Sequence, residues 1–335
     1  MPGGRGADGR TERILAADIG GTNARFGCFF VEDGQLRLER VSWMPSSGLR
    51  DTEAVLRTLQ HRLDLELSPQ DVLALALAGP VAAERGRLTN GSLQLDLAVA
   101  RQRFGLRRCL LCNDFAAAAL ATLTPAGEDA RLVAGDRLAE GAGPEGRAAR
   151  AVLGAGTGLG AALLVWTGRR WLPVPSEAGH AAFPFSGRPE HDFERFLQRD
   201  LGQSWISAED VLSGQGLSQL HFFLSGEYLF PPVVGARALQ SETTTLQWYA
   251  RFLARFCRNW MYAALSLGGL WVCGGIAARN PLCLTCAQFG EELQRANPLR
   301  ALFAPVPVRL MENENSGLWG AARAGQNLVE KGGRA

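Results

Sequence analysis

Lysine is almost missing from this chain. Of its 35 basic residues only Lys331 is a lysine, and every other is arginine. A P-loop nucleotidase needs a lysine after its glycine loop, a protein kinase needs one on a strand, and a Schiff-base enzyme needs one as nucleophile. One lysine beside the C-terminus serves none of these roles, so those three classes are excluded. A strong charge of either sign is lacking as well. A formal net charge of +2 makes no case for nucleic acid or an anionic membrane as partner. Nor is there a long apolar run. The uncharged stretch Met261 to Ala278 is broken by Gly268, Gly269, Gly274 and Gly275, and parses as a helix end, a turn and a buried strand rather than a membrane span.

The N-terminal residues Met1 to Glu12 are rich in Gly and Arg without an apolar core, so 1–13 reads as a disordered leader and not a signal peptide. Cysteines number seven, an odd count, and Cys28, Cys109, Cys112 and Cys273 stand in apolar contexts, as buried free thiols do. Cys109 and Cys112 lie in an apparent strand, where an offset of three points their side chains to opposite faces. Cys283 and Cys286 follow Pro281 in an expected helix, and no histidine pattern completes a zinc finger. A cytoplasmic protein is expected.

What is present is the composition of a soluble globular chain, 47% hydrophobic and 20% charged over 335 residues, enough for two cores or one large α/β body. Ile14–Asp18, Arg25–Phe30 and Leu36–Ser42 read as consecutive strands. A helix is expected at Thr52–Leu63, a buried strand at Val72–Ala78, a helix at Leu97–Phe104, a strand at Cys109–Cys112 and a helix from Ala116. The Gly/Ala/Glu/Arg-rich stretch Pro125 to Arg150 is the expected loop or hinge. After it the cycle repeats as strand Ala151–Leu153, glycine turn, strand Ala161–Val165 and strand Arg170–Pro173. Helices follow around Asp192–Leu201 and Thr243–Leu267, then strand Leu270–Cys273. This order mixes antiparallel and parallel pairing, unlike the strict alternation of a dinucleotide-binding unit.

Five constellations carry chemistry. Asp18-Ile19-Gly20-Gly21-Thr22-Asn23 ends one strand and opens the next. Successive N–H groups in such a turn can converge on an anion, although a plain tight hairpin fits the same residues. Gly154 to Gly160, with Gly156, Thr157 and Gly158 at its centre, repeats that context in the second half. A dinucleotide fingerprint there would require a helix after Gly160, with Glu177 as the ribose acid. Asn113-Asp114 follows an apolar strand, where open α/β sheets place ligands. Asp114 can serve as a base or as the cap of the next helix. Glu177, Gly179 and His180 place polar groups suited to vicinal sugar hydroxyls. Glu209 can join them, while Ser207 and Asp210 equally form a capping box. Cys273-Gly274-Gly275 ends a strand in two glycines, which suits either a plain turn or a flat ring lying close to the backbone. His61, His191 and His221 have no comparable context.

Together and in this order, these segments resemble the bacterial glucokinase family, within the actin-like superfamily of sugar kinases and heat-shock ATPases. The resemblance runs from Ala17 to about Gly325, closing with Asn315-Ser316-Gly317-Leu318, which is similar to the turn opening the family's last helix. It implies an α/β fold of two actin-like (ribonuclease H-like) domains, mixed sheets flanked by helices, with the active-site cleft between them. The expected domains are 14–124 plus 312–335 and 125–311. The implied activity is an ATP:hexose 6-phosphotransferase that makes glucose 6-phosphate from D-glucose and feeds glycolysis. Asp114 is the implied base, and Asn113, Glu177, His180 and Glu209 the implied sugar ligands. On the same resemblance, Gly20, Gly21, Thr22, Asn23, Gly156, Thr157 and Gly158 are expected to hold the ATP phosphates, Gly274 and Gly275 the adenosine, and Asp18 is expected to hold Mg²⁺ through water. The resemblance also implies a homodimer. No nucleic acid or membrane is expected as partner. No cysteine lies between Cys112 and Cys257, which argues against the zinc-binding repressor/kinase relatives, and too few residues precede Ile14 for a helix-turn-helix domain. The chain departs from the pattern at Gly91-Ser92, where a tryptophan is usual after Thr89-Asn90, and at Ala178, usually glycine. Kinases for another hexose or an N-acetylated hexosamine, and a silent sugar-binding sensor, are the alternatives.

Overall fold

The computed structural model describes residues 12–136 and 146–332. Most of the expected leader and the middle of the stretch Pro125 to Arg150 lie outside the described residues. The chain divides into two compact units, Met1–Glu128 with Asn315–Ala335, and Asp129–Glu314.

In the first unit, β1 (Arg13–Ile19), β2 (Asn23–Glu32) and β3 (Gln35–Pro45) form an antiparallel meander. Then β4 (Val72–Leu77) pairs in parallel with β1, completing one side of the sheet for a later strand. Three short strands, β5 (Val81–Ala82), β6 (Arg85–Arg87) and β7 (Gln94–Asp96), make a separate small sheet. Next, β8 (Arg108–Asn113) joins β4 in parallel, giving the order β3-β2-β1-β4-β8. Strand β1 begins at Arg13, inside the expected leader. The reason is electrostatic: Arg13 holds Asp71 through two hydrogen bonds of 2.8 Å.

Side-chain alternation gives this sheet two dry faces. Leu15, Ala17 and Ile19 face one core with Leu73, Leu75 and Leu77, covered by helices Thr52–Leu63 and Leu97–Phe104. Ile14 and Ala16 face the other with Val72, Ala74 and Ala76, against Ala117, Leu318, Ala321 and Ala322. Those last residues lie on helices Asp114–Ala121 and Ser316–Gly332. The two helices meet so closely that a Cβ on Gly320 would fall 1.8 Å from the Ala117 carbonyl oxygen.

The second unit repeats the plan. Its sheet runs β12-β11-β10-β13-β14-β9, from β9 (Arg131–Ala134), β10 (Arg150–Ala155), β11 (Leu159–Trp166), β12 (Trp171–Ser176), β13 (Leu270–Cys273) and β14 (Val308–Leu310). Again a meander is extended by parallel strands, with β9 added antiparallel at the edge. Strand β9 and the short helix Pro125–Glu128 correct the reading of Pro125 to Arg150 as a loop. Because β9 pairs with β14, far away in the chain, no local pattern announces it. The core here is built on helix Thr244–Ala264 and a cluster of phenylalanines including Phe183, Phe193 and Phe252. Within it Arg255 is buried between Glu190 and Glu292, at 2.5 and 3.1 Å.

Candidate active site

In the first unit the candidate residues gather at the C-terminal ends of three parallel strands. Register sets Asp18 beside Ala76 and Ala76 beside Cys112, so all three share one row on one face. Asn113 and Asp114 come next along β8. Helix Asp114–Ala121 begins there, and its cap is Asn113 rather than Asp114. Asn113 Oδ1 accepts from the Phe115 and Ala116 N–H groups at 2.9 and 3.2 Å, while Nδ2 donates to the Gly79 carbonyl at 3.2 Å. The capping role that the sequence left open for Asp114 is therefore taken by its neighbour. Asp114 sits half-buried at the first helical position. Burial pushes the Cys112 thiol up to about 12, and the nearby carboxylates of Asp114 and Asp18 push in the same direction. Both acids thus bear on the same thiol.

Asp18 itself is buried, and burial raises its pKa despite the opposing effect of Arg25, whose guanidinium lies 3.0 Å from Oδ2. Arg25 in turn stacks 4.2 Å over the Trp43 ring, and Trp43 donates to Asn315 Oδ1 at 3.0 Å. Over the carboxylate lies Gly317, where a Cβ would fall 2.5 Å from Oδ2. Any side chain at Gly317 would displace Asp18. Arg25 closes the first glycine motif in the sequence, but its pairing with Asp18 was not read from it, and Trp43 escaped altogether because that position carries no local signal. The turn after Asp18 is held by its own backbone, Gly20 N–H donating to Asn23 O at 2.9 Å. Ser46 clamps it from β3's end, its Oγ donating to Gly20 O at 2.6 Å and its N–H to Thr22 O at 2.9 Å. Gly21, Thr22 and Asn23 are exposed, as a turn that receives a ligand must be.

In the second unit the glycine turn joins β10 to β11. Gly156 N–H donates to Gly158 O at 2.8 Å, and Gly156 O accepts from Gly214 N–H at 2.8 Å. A strand, not a helix, follows Gly160, which overturns the dinucleotide fingerprint. The residues expected to clamp a sugar sit on a short 3-10 turn, Ala178–His180, with Glu177 before it. Gly179 presses on β11 so tightly that a Cβ would lie 2.0 Å from Leu159 O. Glu177 and His180 point outward, their side chains 85% and 59% exposed, with Oε2 and Nε2 3.6 Å apart. Ala178 has no left-handed backbone, so its methyl is tolerated.

Glu209 lies on helix Ala208–Leu212, opened by a full capping box of Ser207 and Asp210. Its Oε2 accepts the Leu159 N–H at 2.7 Å. Gly274, with φ +89, ends β13 where a Cβ would meet Ala155 O at 2.5 Å. Its glycine is thus demanded by the neighbouring strand β10, and Gly275 opens helix Gly275–Arg279 beside it. Glu177, His180, Glu209, Gly156–Gly158 and Gly274 are therefore brought together around the ends of β10 and β11. His61, His191 and His221 are not: His191 pairs with Glu194, and His221 with Thr245. A cavity of about 730 Å³ in the first unit, lined by Arg85, Arg87, Asp96 and Val99 among others, contains none of the site residues.

A family model described as Glucokinase matches residues 15–328. A glucokinase of Marinobacter nauticus is 32% identical over 320 residues, 92% of this chain and 96% of that protein. One from Pseudomonas aeruginosa is 33% identical over 331 residues, covering 95% and 96%. Among solved structures, a glucokinase from an Antarctic psychrotroph superposes with a TM-score of 0.79 at 27% identity, over 95% of this chain and all of that one.

Proposed function

Because the chain belongs to the glucokinase family, we propose that it transfers the γ-phosphoryl group of ATP to the 6-hydroxyl of D-glucose, giving glucose 6-phosphate and ADP. The observation that carries this reading is the pair Asn113-Asp114 at the end of β8. Asn113 caps the start of the helix and orients the segment, and Asp114 would take the proton from the acceptor hydroxyl. As the sugar oxygen bonds to phosphorus, the P–O bond to ADP breaks and Asp114 takes the proton. Phosphoryl transfer relies on positioning and charge neutralisation more than on covalent help, which suits a site with one base and many orienting groups.

Glu177 and His180, exposed and side by side, together with Asn113 and Glu209, would hold the sugar hydroxyls. The Gly20–Asn23 and Gly156–Gly158 turns would hold the phosphates, and Gly274 and Gly275 the adenosine. Mg²⁺ fits Asp18 as one partly neutralised carboxylate, not as a protein cage. Among the described residues no group of three or more acids, histidines or cysteines could ligate an ion, so water and phosphate oxygens would supply the other ligands. When bound, the ion neutralises charge on the phosphates. All seven cysteines are free thiols, and no helix of the described residues is long and apolar enough to cross a membrane. These support a cytoplasmic enzyme, which we expect to be a homodimer by light scattering.

A coupled assay with ATP across glucose, mannose, fructose, N-acetylglucosamine and N-acetylmannosamine tests the reading. Glucose should give the highest kcat/KM; preference for another sugar would replace glucose as substrate. Sugar binding without turnover on any would make the chain a sensor. Asp114→Ala should lose at least about a thousandfold in kcat while still binding glucose and nucleotide. Near-normal turnover in that variant would sink the mechanism.

A further inference from the structure

The carboxylate of Glu209 is spent on the backbone of the second glycine turn. Its Oε2 accepts the Leu159 N–H at 2.7 Å, a charge-assisted bond of the stronger kind. Gly158 has room for it only because it lacks a Cβ, which would sit 2.6 Å from that same oxygen. The neighbouring acid, Asp210, is committed to the capping box, taking the Ser207 N–H at 2.8 Å. That box fixes the short helix and aims Glu209 at β11. Leu159 also carries the other side of the junction, because its carbonyl abuts Gly179 between Glu177 and His180. Gly214 also holds the turn, its N–H donating to Gly156 O at 2.8 Å.

We propose that Glu209 is a positioning residue for the nucleotide turn, and that through Leu159 it ties the sugar clamp to that turn. One oxygen locks the Leu159 N–H, and the other remains for a sugar hydroxyl, so both substrates order the same side chain. A carboxylate this near a phosphate site would repel the ligand, and its hydrogen bond to Leu159 spreads part of that charge. The proposal rests on the reading above that Gly156–Gly158 binds phosphate.

The test measures ADP binding by calorimetry without sugar, and KM for ATP and for glucose separately. The variants are Glu209→Ala, Glu209→Gln, Gly158→Ala and the double variant Gly158→Ala/Glu209→Ala. Removing the carboxylate should weaken sugar-free ADP binding by about tenfold or more, the worth of a charge-assisted hydrogen bond. Glu209→Gln, whose carbonyl can still accept from Leu159, should restore most of the ADP affinity yet keep a raised KM for glucose. Gly158→Ala should reproduce the Glu209→Ala defect by evicting the carboxylate, and the double variant should be no worse than either single one. ADP affinity unchanged in Glu209→Ala, with only glucose KM raised, would overturn the proposal. Additive losses in the double variant would overturn it too, since Gly158 would then act independently. Because ADP binding is read without turnover, failure of the kinase reading leaves this outcome separately visible.

Discussion

Asp18 shows what one residue at a working site costs the fold. Its carboxylate is buried at the end of β1, one hydrogen-bond length from Arg25 and roofed by Gly317. Burial dominates and raises its pKa even with Arg25 present. The linkage sign follows. A raised folded pKa gives stability that is full below the unfolded value of 3.8 and is lost as pH rises through the folded value. An ionised Asp18 at neutral pH therefore weakens the first unit, a cost that function explains and packing does not. Asp18→Asn removes the charge while keeping the shape. Thermal melts from about pH 4 to about pH 7 should show wild type losing ground to the variant as pH rises, with the variant at least as stable near neutrality. Its phosphotransferase activity should fall sharply, because the neutral amide no longer offers the charge proposed above to hold Mg²⁺. A variant clearly less stable than wild type at neutral pH would mean that the Arg25 ion pair outweighs burial. At this scale the sequence was most legible where a residue type is sterically forced, as at Gly179, where a Cβ would strike the Leu159 carbonyl. It was least legible at Trp43 and Ser46, whose roles arise only when β3 folds back on the first hairpin.

Elements were legible where their ends carry their own chemistry. Helix Thr52–Leu63 is capped by Asp51, which accepts from Ala54 N–H at 2.8 Å, and Leu97–Phe104 by Asp96, with Gly105 left-handed after it. Both were read from the chain with these bounds. Helix Gly187–Leu201 starts earlier than expected, because Glu190 reaches back to accept the Ser186 N–H at 2.7 Å and holds an otherwise unpromising Gly-Arg-Pro start. That same glutamate belongs to the buried network of Arg255, Glu292 and Arg258, which joins this helix to Thr244–Ala264 and Ala287–Leu293. The Arg255 and Arg258 partners hold Glu292 below its ordinary range despite burial. Its contribution is therefore present above pH 4.5 and lost as pH falls through the lower folded value. Arg255→Met leaves two buried carboxylates short of their main partner, at a cost of about 3–5 kcal/mol. Urea titrations should show that loss near neutrality and a smaller one in acid, where Glu292 protonates. A loss below about 1 kcal/mol at neutral pH would show the network to be no stronger than a surface ion pair.

For the whole molecule, the duplicated strand order matters more than any single motif. Each unit is a meander followed by parallel strands, with a glycine turn between its first two long strands, and each presents its polar groups at the strand ends. The roles are nevertheless divided. Asp18, Asn113 and Asp114 belong to the first unit, and Glu177, His180 and Glu209 to the second. The base and the full set of sugar ligands proposed above are not found in one unit. On the roles proposed above, glucose draws its ligands from residues of both units, and a kinase must also keep water from taking the phosphoryl group. Glucose should then slow hydrogen exchange in both units: around Gly79 and Asn113 in one, and around Glu177 to His180 in the other. Asp114→Ala should keep protection in both, since Asn113 and the clamp still grip the sugar. Glu177→Ala/His180→Ala should abolish it in both, because the first unit cannot hold glucose with Asn113 and Asp114 alone. Protection confined to the second unit in wild type would mean that sugar binding does not engage the base. Turnover would then have to wait for the nucleotide to recruit the first unit, an order of binding that ADP added with glucose would reveal in the same measurement.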